Sequence, residues 1–224
     1  MTSGIEVVRH PRARRARLSV DPTTGTVRLT LPKRAALAPA LHWAEAHGEW
    51  IAEQRTKLPL PRPFAPGAII PLGDGAVTIV WDESASRRIV RVGDWLHCGG
   101  PADGLSRRIT AWLKREALAV LSAETAEFAR RIGVSVSGVS TGDPKGRWGS
   151  CASSGTIRYS WRLILMPERV RRATVAHEVA HRVHMNHGPD FHALVAQLVG
   201  DDATTARIWL RRHGAALHWF GRDS

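Results

Sequence analysis

The stretch His177-Glu178-Val179-Ala180-His181, followed closely by Asn186-His187-Gly188, decides how the rest of the chain is read. Residues four apart on a helix share a face, so His177 and His181 bring two imidazoles to one point. Glu178 stands beside them, where a carboxylate can take a proton from a water held by a metal ion. The flanks argue for a helix, because Val170, Thr174, Val175, Val179 and Val183 recur at helical spacing and give it a core-facing side. Pro167 opens it at the first turn, and Asn186 and Gly188 are expected to stop it. H-E-x-x-H on such a helix points to metal-assisted hydrolysis, with zinc as the expected ion.

A catalytic zinc usually takes three protein donors and leaves one position to water. His184 lies on the face of His177, but the rise between them is about 10 Å, and three imidazoles along one straight axis cannot converge on one ion. The third donor therefore comes from beyond a bend. No Glu follows Glu178 and no Met follows Met185, which removes a glutamate from a later helix and a Met turn. His187 has the spacing of the last histidine in H-E-x-x-H-x-x-G-x-x-H, with His184 in the place of the Gly. Asp190, His192, His213 and His218 stand as further candidates.

Composition bounds what surrounds this motif. With 224 residues, 43% of them hydrophobic, the chain can bury a sizeable core. No apolar run approaches the roughly 20 residues of a membrane helix. Met1 to Glu6 shows no basic flank followed by a hydrophobic stretch, so no secretory signal is expected and the cytoplasm is the expected compartment. Cys98 and Cys151 are too few for a disulfide framework or a four-cysteine zinc site. The net charge of +12 suits polyanions such as nucleic acid or nucleotide phosphates. The arginines are dispersed except for Arg9, Arg12, Arg14, Arg15 and Arg17, and a charged edge also protects a sheet from aggregation.

Along the chain, Arg17–Val20 and Thr26–Leu31 alternate around the turn Asp21–Gly25, which predicts a hairpin with a basic edge. A helix is expected from Pro39 to about Lys57, with Trp43 and Trp50 on one face as a core stripe. A Pro-rich connection and four short strands (68–71, 76–81, 88–92, 95–98) lead to Gly99-Gly100-Pro101. A long helix over about 105–131 follows, with Leu113, Ala117, Leu118, Leu121, Thr125 and Phe128 as its stripe, ended by Gly133. Val134, Val136 and Val139 alternate as a strand. A hairpin of 146–151 and 156–165 then enters the metal helix. Helices over 189–199 and 203–212 close the chain, the last ended by Gly214. The expected architecture is α+β, with residues 1–100 as a β-rich region and 101–224 as a zincin-like metallohydrolase domain. In that domain the H-E-x-x-H helix packs on a mostly antiparallel sheet. The Pro-rich segment is an alternative boundary.

Arg147-Trp148-Gly149-Ser150-Cys151, the strand running to Leu165, Pro167, His177-Glu178-Val179-Ala180-His181 and Asn186-His187-Gly188-Pro189-Asp190-Phe191 carry a resemblance. In this order and spacing they are similar to the YgjP-like metallopeptidase family, which is related to the SprT-like and WLM-type small zincins. The resemblance covers nearly the whole chain. It implies His177, His181 and His187 as zinc ligands, Glu178 as general base, and a peptide or protein substrate cleaved by a Glu-activated, zinc-bound water. The chain departs from the family at Ser160, often Asn, and at His192, often Trp, both where substrate contacts are expected. Arg147 is a candidate stabiliser of the oxyanion, and Tyr159 a second one. The strand from Thr156 to Arg162 is expected to offer its edge to an extended peptide. Cys151 is read as a buried structural thiol. Two alternatives are a metal-dependent hydrolase of nucleotides or nucleic acid, and a nucleic-acid-associated protein with a structural zinc. The first more often recruits oxygen ligands, and the second has no need of Glu178.

Overall fold

The structure, a computed structural model, describes residues 4–223; Ser224 and Met1–Ser3, the latter part of the stretch read for a signal, lie outside them. By internal packing the chain divides between Leu60 and Pro61, inside the Pro-rich connection, into two compact units.

The first unit holds β1 (Ile5–His10), β2 (Arg17–Val20), β3 (Val27–Pro32), α1 (Leu37–Ala46) and α2 (Gly48–Thr56). The hairpin forms as expected between β2 and β3, and β1 adds in parallel on the other side of β3. Its turn is fixed by Asp21, whose Oδ1 accepts the N–H groups of Thr23 and Thr24 at 2.8 and 3.3 Å. Leu29 and Leu31 pack on Ala44, with Ala40 and Leu41 beside it. The single helix expected over 39–57 is two. The backbone leaves helical geometry at His47 (φ −95°, ψ 25°), whose Nδ1 lies 2.8 Å from the Trp43 carbonyl oxygen. Trp43 and Trp50 are therefore no core stripe, being 38% and 36% exposed. The small face of α1 takes the core contact instead, because Ala44 lets the helix lie close to β3. Arg9 caps the Pro32 and Lys33 carbonyls and Arg28 pairs with Glu6, while Arg12, Arg14 and Arg15 are exposed between β1 and β2.

The second unit begins with β4 (Ile69–Leu72), β5 (Gly75–Asp82), β6 (Val90–Val92) and β7 (Trp95–Gly99), in the sheet order β4-β5-β7-β6. It continues through α3 (Leu105–Arg131), β8 (Gly138–Gly142), β9 (Gly149–Cys151) and β10 (Thr156–Ser160). A 3-10 turn over Trp161–Leu165 leads to α4 (Glu168–Ala180), α5 (Pro189–Val199) and α6 (Asp202–Leu217). One core joins Ile70, Val77, Ile79 and Leu96 of the four-stranded sheet to α3 and to Val170, Val175 and Val179 of α4. Residues 61–100, grouped above with the β-rich start, thus share their core with the helix that carries the site. On α3, Leu113, Ala117, Leu121, Thr125 and Phe128 are buried as expected, whereas Leu118 is 40% exposed.

The site's own sheet is mixed, with β10 in the middle, parallel to β8 and antiparallel to β9. Its central strand has no free edge; the edges are β8 and β9, and β9 is the one beside Glu178. Val134 and Val136 precede β8 rather than lying in it. Gly214 does not end the last helix but sits inside α6, because a Cβ there would fall 2.9 Å from Cζ2 of Trp148. The bare backbone is the seat of that indole. At the opposite margin, Arg62 N–H donates to the Trp219 carbonyl (2.9 Å) and Gly221 N–H donates to the Arg62 carbonyl (2.8 Å). Among the described residues no helix is long and apolar enough to cross a membrane.

Candidate active site and metal centre

The site is built on α4, and α4 is fixed first at its N-terminal half. Arg171, 8% exposed, donates through Nε (3.0 Å) and Nη2 (2.8 Å) to Oε1 of Glu124 on α3. Burial pushes the Glu124 carboxyl up against the pull of Arg171. Arg172 pairs with Glu127 one turn along α3. These pairs fix α4 against α3, and its C-terminal turn brings both His177 and Glu178 to one cleft.

The helix ends at Ala180, earlier than Asn186 and Gly188 suggested, and His181 is its C-cap. The N–H groups of Val183 and His184 both return to the Ala180 carbonyl. The chain then turns back and brings His187 over the helix end. His187 Nε2 lies 3.2 Å from His177 Nε2, and the donor atoms of His177, His181 and His187 all lie within 4.8 Å of one another. Two nitrogens bound to one tetrahedral zinc at 2.0–2.1 Å stand about 3.3 Å apart, so the donor set fits such an ion. His181 Nδ1 lies 3.0 Å from the His184 carbonyl, which leaves Nε2 as the atom facing its partners. Burial, with the neighbouring imidazoles, pulls His177 down to about 4, and burial lowers His181 too. Neutral rings are the form that binds metal. Phe191 of α5 closes the floor, its ring 4.6 Å from that of His181. No motif read from the residues alone singled it out; only its place in the family pattern did.

Glu178 is 6% exposed. Burial, opposed by the charge of Arg147, pushes its carboxyl up to about 7. The carboxylate lies against the backbone of Gly149, where a Cβ would fall 2.5 Å from both Cγ and Oε1. Only glycine brings the edge strand β9 so close. The strands and the helix are distant in sequence, so spacing alone gave no sign of this contact.

The segment leading into β9 is pinned from behind. Arg162 donates to Asp143 through Nε (2.7 Å) and Nη2 (3.2 Å), and through Nη1 to the carbonyls of Leu217 (2.7 Å) and Phe220 (3.0 Å). Burial raises the Asp143 carboxyl, but the hydrogen bonds from Arg162 and Lys145 outweigh it and hold it at about 2. Trp148 stacks near His218 at 5.2 Å, and burial holds that 2%-exposed imidazole at about 4. Arg147 is thereby presented, exposed, at the mouth of a cleft of about 930 Å³ that runs from His177 and His187 between α4, α5 and α6. Val195, Ala206, Leu210 and Trp148 wall it, and Arg207 sits on its rim.

Of the other candidates, Tyr159 is fully buried with its hydroxyl 2.9 Å from Thr125 Oγ1, so it does not reach the cleft. Ser160 is fully buried as well, its Oγ facing the Arg162 N–H, and makes no substrate contact. His192 lines the cleft. Among the described residues, Asp190, His213 and His218 take no part in the histidine group. Cys151 is half-buried on β9 and burial pushes its thiol up, away from reactivity.

No curated protein and no solved structure matches the chain. A family model described as "YgjP-like, metallopeptidase domain" matches residues 14–213, from the basic loop of the first unit through α6. That span takes in the histidine group, Glu178 and the edge strand together, and the chain belongs to the YgjP-like family of metallopeptidase-type hydrolases.

Proposed function

We propose that the protein hydrolyses peptide bonds, with zinc held by His177, His181 and His187 and with Glu178 as general base. The observation that carries this reading is the meeting of three imidazoles and one buried carboxylate at the free edge of a strand. Bound zinc supplies Lewis acidity, which polarises a carbonyl and makes water more acidic. The chain's own groups do the rest. Trp148 C=O and Ala152 N–H already bond to β10, at 2.8 and 2.9 Å, so antiparallel alternation turns the N–H and C=O of Gly149 and Cys151 outward. An extended peptide pairs there as an added strand. Glu178, in contact with Gly149, takes the proton of the attacking water and returns it to the leaving amine. Its raised carboxyl suits both transfers. Arg147 donates to the developing oxyanion.

The test is metal content together with cleavage by the wild type and Glu178→Gln, on a peptide library and on nucleoside triphosphates. The variant should keep its zinc and lose cleavage by about 10²–10⁴-fold. Full activity would sink the general base. Cleavage of triphosphates alone would move the reading to phosphoanhydrides, a chemistry that a three-imidazole donor set favours less than oxygen ligands do.

The exposed Arg12, Arg14 and Arg15 support a separate proposal, a nucleic-acid or other polyanionic partner on the first unit. Replacing all three by Ala should weaken DNA binding and flatten its salt dependence by about three counterions. Unchanged binding leaves the loop as a solvated, protective edge.

A further inference from the structure

A second cavity of about 250 Å³ lies across β9 from the cleft, lined by Asp143, Pro144, Arg147, Gly149, Ser150 and Arg158. The two cavities share Arg147 and Gly149, so the second opens beside the point where Glu178 meets the strand. Ser150 and Arg158 are cross-strand partners and therefore share one face of the sheet. Gly149, between Trp148 and Ser150, faces α4 on the other side. Arg158 is held flat by a second glycine, since a Cβ on Gly142 would fall 2.6 Å from its Nη2 and 2.8 Å from its Nε.

Charge in this cavity is not balanced. Asp143 is its one acid, and both its oxygens already accept from Arg162 and Lys145. Arg147 and Arg158 are exposed, and among the described residues neither guanidinium has a hydrogen bond or ion pair with another side chain. Two unpaired forks around a small polar hollow match an oxyanion in a way two surface charges apart would not.

We propose that this cavity is a specificity subsite for an acidic side chain of the substrate, held between Arg158 and Arg147. Strand alternation supplies the position. A peptide paired with the free edge of β9 turns one side chain into the apolar cleft and the next to the opposite face, where Arg158 and Ser150 lie. The preferred substrate then carries an acidic residue immediately next to one that is apolar. The proposal rests on the peptidase reading, and it adds Arg158 as a specificity residue remote from the histidines.

The test uses the full chain with Glu178→Gln, so binding is read without turnover. Fluorescent peptides matched except for Glu, phosphoserine, Gln or Lys at one position are titrated by anisotropy. Removal of one charge-assisted bond by Arg158→Gln should weaken the Glu peptide by about 10- to 100-fold and leave the Gln peptide unchanged. Arg158→Glu should invert the order in favour of Lys. Tighter binding of phosphoserine than Glu would assign the subsite to phosphoryl groups within the same oxyanion chemistry. Equal affinity for all four peptides, or loss of all four in Arg158→Gln with an unchanged melting temperature, overturns the proposal. Cleavage of the same peptides by the wild type is scored separately. Cleavage without preference for Glu rejects the subsite and keeps the peptidase, whereas selective binding without cleavage keeps the subsite and rejects the peptidase.

Discussion

The two ends of α4 are made of similar materials and arranged in opposite ways. At the N-terminal half, charges are closed on themselves, Arg171 on Glu124 and Arg172 on Glu127. At the C-terminal end, three imidazoles face one another and Glu178 lies buried with no hydrogen-bonding cation. Burying an unpaired carboxylate and crowding imidazoles is costly in an ordinary helix. The satisfied end holds the helix in place, and the unsatisfied end carries the proposed chemistry. Stability and reactivity are separated by about two helical turns.

This contrast can be broken at either end. The largest expected effect is on metal. His187→Ala should lose zinc, read by metal analysis after dialysis, while His184→Ala should keep it. The contribution of His184 to the group is its backbone carbonyl on His181, which alanine retains. Loss of zinc in His184→Ala with retention in His187→Ala would reverse the assignment. At the other end, Glu124→Ala removes both hydrogen bonds of the buried Arg171 guanidinium and leaves it only the 3.7 Å contact with the exposed Glu168 carboxylate. It should cost about 3–5 kcal/mol of unfolding free energy by denaturant titration. Zinc stoichiometry in the folded fraction should stay unchanged. A cost below about 1 kcal/mol would make the pair a surface-type contact.

The smallest effect concerns pH. His218 and His177 are both held near 4, yet only His177 faces other imidazoles. His218 faces Arg162, Lys145, Arg222 and Asp143, with Trp148 against it. Its folded value lies below the ordinary 6.5, so the unfolded chain binds the proton more readily. The stability it contributes is present above pH 6.5 and is lost as pH falls towards about 4. His218→Gln should flatten the fall in melting temperature over that window by several degrees. An unchanged slope would show that His218 is not the source.

Local chemistry was legible in the residues wherever short-range rules govern. Spacing set His177, Glu178 and His181 on one helix, and the lack of any later Glu or Met turned attention to His187 beyond a bend. Asp21 and Gly25 announced the first hairpin. What escaped was decided by contacts distant in the chain. Gly149 touches Glu178 and Gly214 seats Trp148, and neither glycine differs in sequence from one that ends a helix or makes a turn. Trp43 and Trp50 had the spacing of a core stripe, but the break at His47 and the small face of α1 put alanines inward. The Pro-rich segment marked the boundary at Leu60 as one of two candidates, and packing of the four-stranded sheet on α3 decided between them.

The hydrogen bonds between Arg62 and the segment Trp219–Gly221 have a mechanical consequence. The two ends of the second unit lie side by side through an isolated bridge between Arg62 and Phe220, so they are tied to each other. Tension applied at its two ends would fall on that single bridge before reaching α4. A circular permutant joining those ends by a short linker, and opened at the exposed turn Ser153-Ser154, cuts only the connection between β9 and β10 and should leave the histidine group intact.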